Sequence, residues 1–534
     1  MSITGFVGCR PAFAHQASKV AIATPLLCSL TSPWKRCVAT FVRDRDTATS
    51  TPLLSSEKGL DPSYTLRKRP LRKLTSADLV RSLIVLSVST LPKPLLLALV
   101  GTAKRNAKFI EHSRLLRWLM KKTFYEHFCI GSSQSEILSR TAALRRMGMS
   151  GIVLTYAREA PATSNPYNTT PTVLTDADSD LQDWITSNLH TIQMLTPGDY
   201  IALRVTGAGS TATRLLEQYT KACTQDCESP SSSDNISNDL KQALAVLQDG
   251  LRQICAEAKG KGVRVLIDAE GSRYQRAIDD MALNLMAEFN RAADGTRAII
   301  LNTYQLYLRK NIDKIKRHLQ HSVENNYTLG LKLVRGAYMY DEADRDVIHA
   351  SKQETDDAYD AAVSFLLSNT TEDPVTVGVQ SNDWKADVVL ATHNSYSVYT
   401  GLQQYVSKPG VRKRIRGLNF AQLMGMADEL SFSLAAQLGP PRPSSEEEAV
   451  SKMIGARKGG RAGDGARTPQ SSDSPEIGHP EVGVYKYTVW GTLSDCLLYL
   501  LRRAEENSDA VARSRVTVLA LLKELSRRLV RFGR

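Results

Sequence analysis

Eight short β-rich runs, most of them followed by a helix-like segment, constrain this chain more than any other feature of its sequence. They run from Gly151 to Thr155, Tyr200 to Thr206, Val263 to Ala269, Ala298 to Thr303, Leu329 to Arg335, Asp387 to Thr392, Leu418 to Leu423 and Val484 to Thr488. Strand and crossover helix repeated eight times predict an α/β fold, a (β/α)8 TIM-like barrel. The rival is a doubly wound open sheet, which would want a GxGxxG turn directly after a strand. The nearest candidate, Gly260-Lys261-Gly262, precedes a strand and has Val265 where the third glycine belongs.

The barrel is expected over residues 146–515, interrupted by polar segments that read as mobile or disordered insertions at 159–178, 226–239 and, longest, 439–481. Residues 44–145 form an N-terminal helical arm, and 516–534 a basic C-terminal helix with Arg527, Arg528, Arg531 and Arg534. Within the arm, 83–100 is apolar but broken by Pro92, Lys93 and Pro94. It reads as two short helices that either lie in a membrane interface beside the basic flank 67–81 or pack on the main domain. Residues 1–43 carry Arg10, Lys19, Lys35, Arg36 and Arg43, no Asp or Glu, and eight Ser/Thr. That composition predicts a mitochondrial transit peptide.

The chain has 68 Lys+Arg against 55 Asp+Glu, a net charge of +13. Nucleic-acid binding is not expected, because much of the excess sits in the leader and no aromatic residues interleave with the rest. Eight cysteines without a CxxC pair and nine histidines without HExxH predict no protein-bound metal.

In such a barrel the chemistry comes from the C-terminal ends of the strands. Here those ends carry Arg204 and Thr206, Asp268 and Glu270, Asn302 and Gln305, Lys332 and Arg335, Thr392, His393 and Asn394, and Tyr487. Further on, Tyr499, Arg502, Arg503 and Glu506 fall on one helix face. That face is either solvated or a pair of guanidinium groups that clamps a carboxylate, with Glu506 orienting Arg502.

Two strings, Val484-Tyr485-Lys486-Tyr487-Thr488-Val489-Trp490-Gly491 and Tyr499-Leu500-Leu501-Arg502-Arg503-Ala504-Glu505-Glu506-Asn507, resemble the C-terminal signature of proline dehydrogenases. Four more blocks agree in order: Leu266-Ile267-Asp268-Ala269-Glu270, Leu301-Asn302-Thr303-Tyr304-Gln305, Lys332-Leu333-Val334-Arg335-Gly336-Ala337-Tyr338 and Ala391-Thr392-His393-Asn394. The stretch 124–159 is similar to the fungal mitochondrial members. The resemblance implies FAD-dependent oxidation of L-proline to Δ1-pyrroline-5-carboxylate, with hydride passed to the flavin and electrons passed on to ubiquinone at the matrix face of the inner membrane. By it Asp268 and Lys332 are catalytic, and Arg204, Tyr487, Tyr499, Arg502, Arg503 and Glu506 bind substrate. Ala269, Asn302, Gln305, Arg335, Gly336, Ala337, Thr392 and His393 hold FAD. The chemistry agrees, since no ordinary side chain accepts the electrons of a C–N bond.

Val489, Trp490 and Ala421 depart from the family pattern, where Pro, Tyr and Gly are usual, which bears on pocket shape. A hydroxyproline dehydrogenase, a folate-reductase-like FAD barrel and a catalytically inactive membrane-associated homologue are the competing readings. The folate enzyme should lack the Arg502-Arg503 pair. An inactive homologue should have lost Asp268, Lys332 or one of those arginines.

Overall fold

A computed structural model describes residues 70–106, 112–157, 179–224, 237–291, 297–339, 344–368, 383–439, 482–509 and 511–532, together with Phe109 and Glu342. The predicted leader and the three insertions lie largely or wholly outside the described residues.

Nine strands form one parallel sheet: β1 (Cys129–Gly131), β2 (Gly151–Tyr156), β3 (Tyr200–Leu203), β4 (Arg264–Ile267), β5 (Ile300–Gln305), β6 (Leu329–Val334), β7 (Ala386–Ala391), β8 (Ile415–Leu423) and β9 (Val482–Trp490). Strands β2 to β8 follow one another around a ring, and β9 pairs with both β8 and β2 to close it. All eight runs read from the sequence are therefore barrel strands. The second of them, β3, is shorter than expected, because a 3-10 turn at Val205–Ala208 takes over after Leu203. Strand β1 was not foreseen in a region expected to be helical. It pairs with Val489 and Trp490 of β9, just beyond Tyr487, where the pairing to β8 ends.

Alternation along the strands sets the two faces. Inward go Val153, Tyr200, Ala202, Leu266, Leu301, Val389, Ala421 and Tyr485, a compact cluster that fills the barrel. Neighbours such as Ile152, Ile201, Val265, Ile300 and Leu333 point outward into the main core beneath the helices. Each such fully buried aliphatic side chain contributes about 1.5–3 kcal/mol.

At the N-terminal end of the strands the barrel has a polar floor. Asp387 is wholly buried and takes the Arg297 guanidinium through both oxygens. Gly417 makes room for that pair, since a Cβ there would sit 1.9 Å from the Arg297 guanidinium carbon. The Tyr200 hydroxyl accepts from Asn419 at 2.6 Å and from Arg264 at 2.7 Å, and its ring meets Tyr485 edge-on.

The arm begins with α1 (Ser76–Ser89), whose start is fixed by reciprocal hydrogen bonds between Thr75 and Asp78. It ends just before the expected break, and α2 (Lys93–Arg105) starts after Pro92 with Pro94 in its first turn, where no N–H is needed. Helices α3 (Arg114–Met120) and α4 (Gln134–Arg146) complete the approach to the barrel. The outer layer consists of α5 (Ser179–Gln193), α6 (Ser210–Thr224), α7 (Asn238–Gly260), α8 (Ser272–Phe289), α9 (Asn311–Glu324), α10 (Lys352–Leu366), α11 (Ser395–Ser407) and α12 (Asp428–Leu438). After β9 come α13 (Leu493–Asp509) and α14 (Val511–Phe532). Helix α14 lies against α1, and α2 lies against α13. Among the described residues no helix is long and apolar enough to cross a membrane.

Candidate active site

Three strand ends converge on one carboxylate. Asp268 follows β4, Lys332 sits on β6 and Tyr487 on β9, all with side chains turned into the barrel mouth. The Lys332 ammonium lies 2.6 Å from Asp268 Oδ1, and the Tyr487 hydroxyl donates to Asp268 Oδ2 at 2.7 Å. The same ammonium stands 5.2 Å from the centre of the Tyr487 ring. Asp268 and Lys332 are 8% and 6% exposed, so the ion pair is almost dry. Burial, reinforced by the Asp268 charge, holds the Tyr487 phenol well above its ordinary value. It therefore remains a hydrogen donor at every working pH.

Next to this cluster Glu270 ties four strand ends together. Its carboxylate accepts from the Thr206 N–H at 3.0 Å and from the Thr206 hydroxyl. Its own N–H donates to Gln275 at 2.8 Å, and its carbonyl accepts from Gln305 Nε2 at 2.9 Å. Gln305 in turn takes the Ala337 N–H at 3.4 Å. Burial raises the Glu270 carboxyl, opposed by the Thr206 donors and the Arg204 charge. Tyr338, raised chiefly by burial, lies in the field of Arg204, Glu270, Asp268 and Arg502. Arg204 stands at the end of β3, directly before the 3-10 turn, and Arg502 is on α13. On α13 the Arg503 guanidinium stands 5.1 Å from the centre of the Tyr499 ring, and both residues are buried. The Glu506 side chain lies outside the described residues.

The β6 and β7 ends form a second, more open arc of the rim. Arg335 donates to Asp356, to Thr392 Oγ1 at 2.7 Å and to Ser397 Oγ at 3.0 Å, and it stacks 4.3 Å from the Tyr359 ring. The guanidinium is thus fixed before any ligand arrives. His393 Nε2 accepts the Leu423 N–H at 3.1 Å, which assigns its proton to Nδ1. Gly336 has φ 134°, and a Cβ there would fall 1.9 Å from the Tyr307 ring. Ala337 is exposed and Ala269 half-buried. Asn302 is different. It is fully buried on the outward side of β5, donates to Asp279 at 2.8 Å and accepts the Thr303 N–H at 2.9 Å. Its amide belongs to the network beneath the helices, in which Lys314 and Gln275 also reach Asp279.

A sequence profile described as proline dehydrogenase matches residues 186–516, well over half the chain. The chain belongs to the proline dehydrogenase family. It is 27% identical over 443 residues to a probable mitochondrial proline dehydrogenase of Schizosaccharomyces pombe, covering 76% of this chain and 80% of that one. It is 26% identical to the mitochondrial proline dehydrogenase 1 of Arabidopsis thaliana, over 90% of this chain and 88% of that one. A solved proline utilization A from Bdellovibrio bacteriovorus, inactivated by N-propargylglycine, aligns with a TM-score of 0.49 at 14% identity. That alignment covers 84% of this chain and 38% of the solved one, so the chain spans well under half of that protein.

One of the three departures from the proline dehydrogenase pattern, Trp490, faces away from the barrel interior. Trp490 sends its indole N–H outward to Thr191 at 3.0 Å and stacks on Tyr156, while Val489 packs with Tyr499 and Cys496. Ala421 lines the barrel interior beside Tyr485. Glu270 was read as a polar strand-end residue but given no role, and Tyr338 was not among the predicted site residues. Tyr338 had no signal beyond standing at the end of a matched block.

Proposed function

We propose that the chain oxidises L-proline to Δ1-pyrroline-5-carboxylate, with FAD as resident cofactor and ubiquinone as the onward acceptor. The observation that carries this reading is the buried Asp268, Lys332 and Tyr487 cluster at the strand ends, on the rim where β3 ends in Arg204. Arg502, Arg503 and Arg204 bind the substrate carboxylate, turning the energy of that charge-assisted contact into orientation of the distant ring carbon. Tyr487 and Tyr499 wall the ring. The cationic surroundings lower the pKa of the bound secondary amine, so its lone pair is free to form the C=N bond as hydride leaves.

A bound flavin supplies the two-electron acceptor that the side chains lack. The β6 and β7 arc fits such a group, because the prefixed Arg335 cation, with His393 and the Gly336-Ala337 turn beside it, suits a polyanionic dinucleotide. Gln305 and Thr392 hold that arc in shape, and Ala269 stands next to Asp268 just past the end of β4. Asn302 contributes through the placement of β5, its amide being spent on Asp279. The acid-free leader, together with relatives named as mitochondrial, supports a mitochondrial location at the matrix face of the inner membrane.

The test is direct. The purified protein should carry a flavin absorbance that L-proline bleaches in the absence of oxygen, and Arg502→Ala should raise the proline concentration required. A protein that takes up no FAD, or one whose flavin proline leaves oxidised, would overturn the proposal.

A further inference from the structure

We propose that Glu342 is a positioning residue: its buried carboxylate, carried on the segment after β6, caps α8 from a distance and so latches the ends of β4, β5 and β6 into one arrangement. This rests on the proline-oxidising reading of the mouth given above.

Helix α8 starts without a cap of its own. Gly271 stands at its N-cap with no side chain to offer, and its first turn holds no acidic residue. The first N–H groups of a helix need acceptors, and an anion there also meets the positive end of the helix dipole. Glu342 supplies both, although it lies 70 positions further along the chain. Its carboxylate accepts from the Ser272 N–H at 3.3 Å and from the Ser272 hydroxyl. Gln275 of the same helix accepts the Glu270 N–H at 2.8 Å, so the start of α8 in turn sets Glu270, on the short connection from β4 that also carries Asp268.

A third donor comes from the continuation of β5. Tyr307 gives its hydroxyl to the Glu342 carboxylate at 2.7 Å. Its N–H donates to the Arg335 carbonyl at 2.8 Å, and its carbonyl accepts the His349 N–H at 3.0 Å. One residue therefore grips the segment after β6 at its start, its middle and its far end. The same ring lies against Gly336, where a Cβ would fall 1.9 Å from it. That segment also carries Ala337 and Tyr338, and the Tyr338 phenol feels the charges of Arg204, Glu270 and Asp268. At 6% exposure the Glu342 carboxylate is nearly dry, so the Ser272 and Tyr307 donors stand in for its water.

The experiment uses the full flavin-loaded chain with Glu342→Ala, Glu342→Gln and Glu342→Asp. Glutamine keeps the reach and an acceptor for both Ser272 and Tyr307, whereas aspartate keeps the charge but is one methylene short. Anaerobic bleaching of the flavin by saturating proline should slow about ten- to hundred-fold in the alanine and aspartate variants, the scale set by misplacement of about an ångström near a reacting centre. Glutamine should recover most of that rate. Amide hydrogen exchange, which does not depend on turnover, should quicken at 272–275 and 336–338 together in Glu342→Ala and at neither in Glu342→Gln. A wild-type bleaching rate in the alanine variant, or exchange that rises in one of the two segments alone, would overturn the latch. So would a glutamine variant as slow as alanine, since reach would then not be what matters. If the alanine variant does not fold, Tyr307→Phe, which leaves the ring on Gly336 and deletes one donor, must slow bleaching by itself, and a wild-type rate there counts equally against the latch. A wild-type flavin that proline leaves oxidised would instead sink the functional reading, and the positioning role with it.

Discussion

Removing the Lys332 ammonium is the most informative single perturbation of this molecule. Lys332→Met keeps the length and apolar stem of the side chain but leaves the Asp268 carboxylate, whose side chain is 12% exposed, held by the Tyr487 hydroxyl at 2.7 Å. Breaking one half of a buried ion pair costs about 3–5 kcal/mol, because a charge is stranded in a poorly solvated place. Replacing both halves removes the stranded charge, so Lys332→Met with Asp268→Asn should recover most of the loss. Urea unfolding of the wild type, both single variants and the double variant gives the coupling, expected at about 2–3 kcal/mol. Proline turnover should stay low in the rescued double variant, since stability returns while the cationic group at the mouth does not. Additive single effects, or a loss below about 1 kcal/mol for Lys332→Met, would refute the reasoning that this pair is dry and mutually dependent.

Three further outcomes follow from other parts of the structure. Gly336→Ala should fold poorly or lose flavin, because the added carbon meets the Tyr307 ring at 1.9 Å in a backbone conformation of φ 134°; flavin content per protein checks it. Burial holds His127 at about 4 and His318 at about 3, against 6.5 for a free imidazole, so the folded chain stays neutral at both sites while the unfolded chain protonates. Their contribution is full above pH 6.5 and is lost as pH falls through those lowered values, and His127→Phe should make the stability profile over that window flatter. Asp387→Asn should lower the unfolding midpoint by leaving the Arg297 charge poorly matched in the floor, without moving the proline concentration at half-maximal rate.

What the sequence disclosed and what it hid differ for physical reasons. The strands were legible because their inward and outward side chains are apolar on both faces, producing continuous runs such as Ile152 to Leu154 bounded by turns. The convergence of Asp268, Lys332 and Tyr487 was legible because strand-end position alone fixes where such side chains go in a closed parallel barrel. Asn302 shows the limit of that argument. One residue of register decides whether a side chain enters the mouth or the helix layer, and at the end of a run the composition of Asn302-Thr303-Tyr304-Gln305 does not reveal which. Strand β1 was hidden for another reason: three residues carry no periodicity, and Cys129–Gly131 pairs only because β9 outruns β8. The seat of α13 on α2 joins residues some four hundred positions apart, a distance across which hydrophobic pattern carries no information.

The packed floor has a consequence for traffic. With Tyr200, Tyr485, Asn419 and the Arg297–Asp387 pair plugging the lower end, nothing threads the barrel axis, so a small molecule arriving at the upper rim must also depart there. Whatever leaves after turnover vacates the doorway through which the next proline enters, and the two must contend for one space.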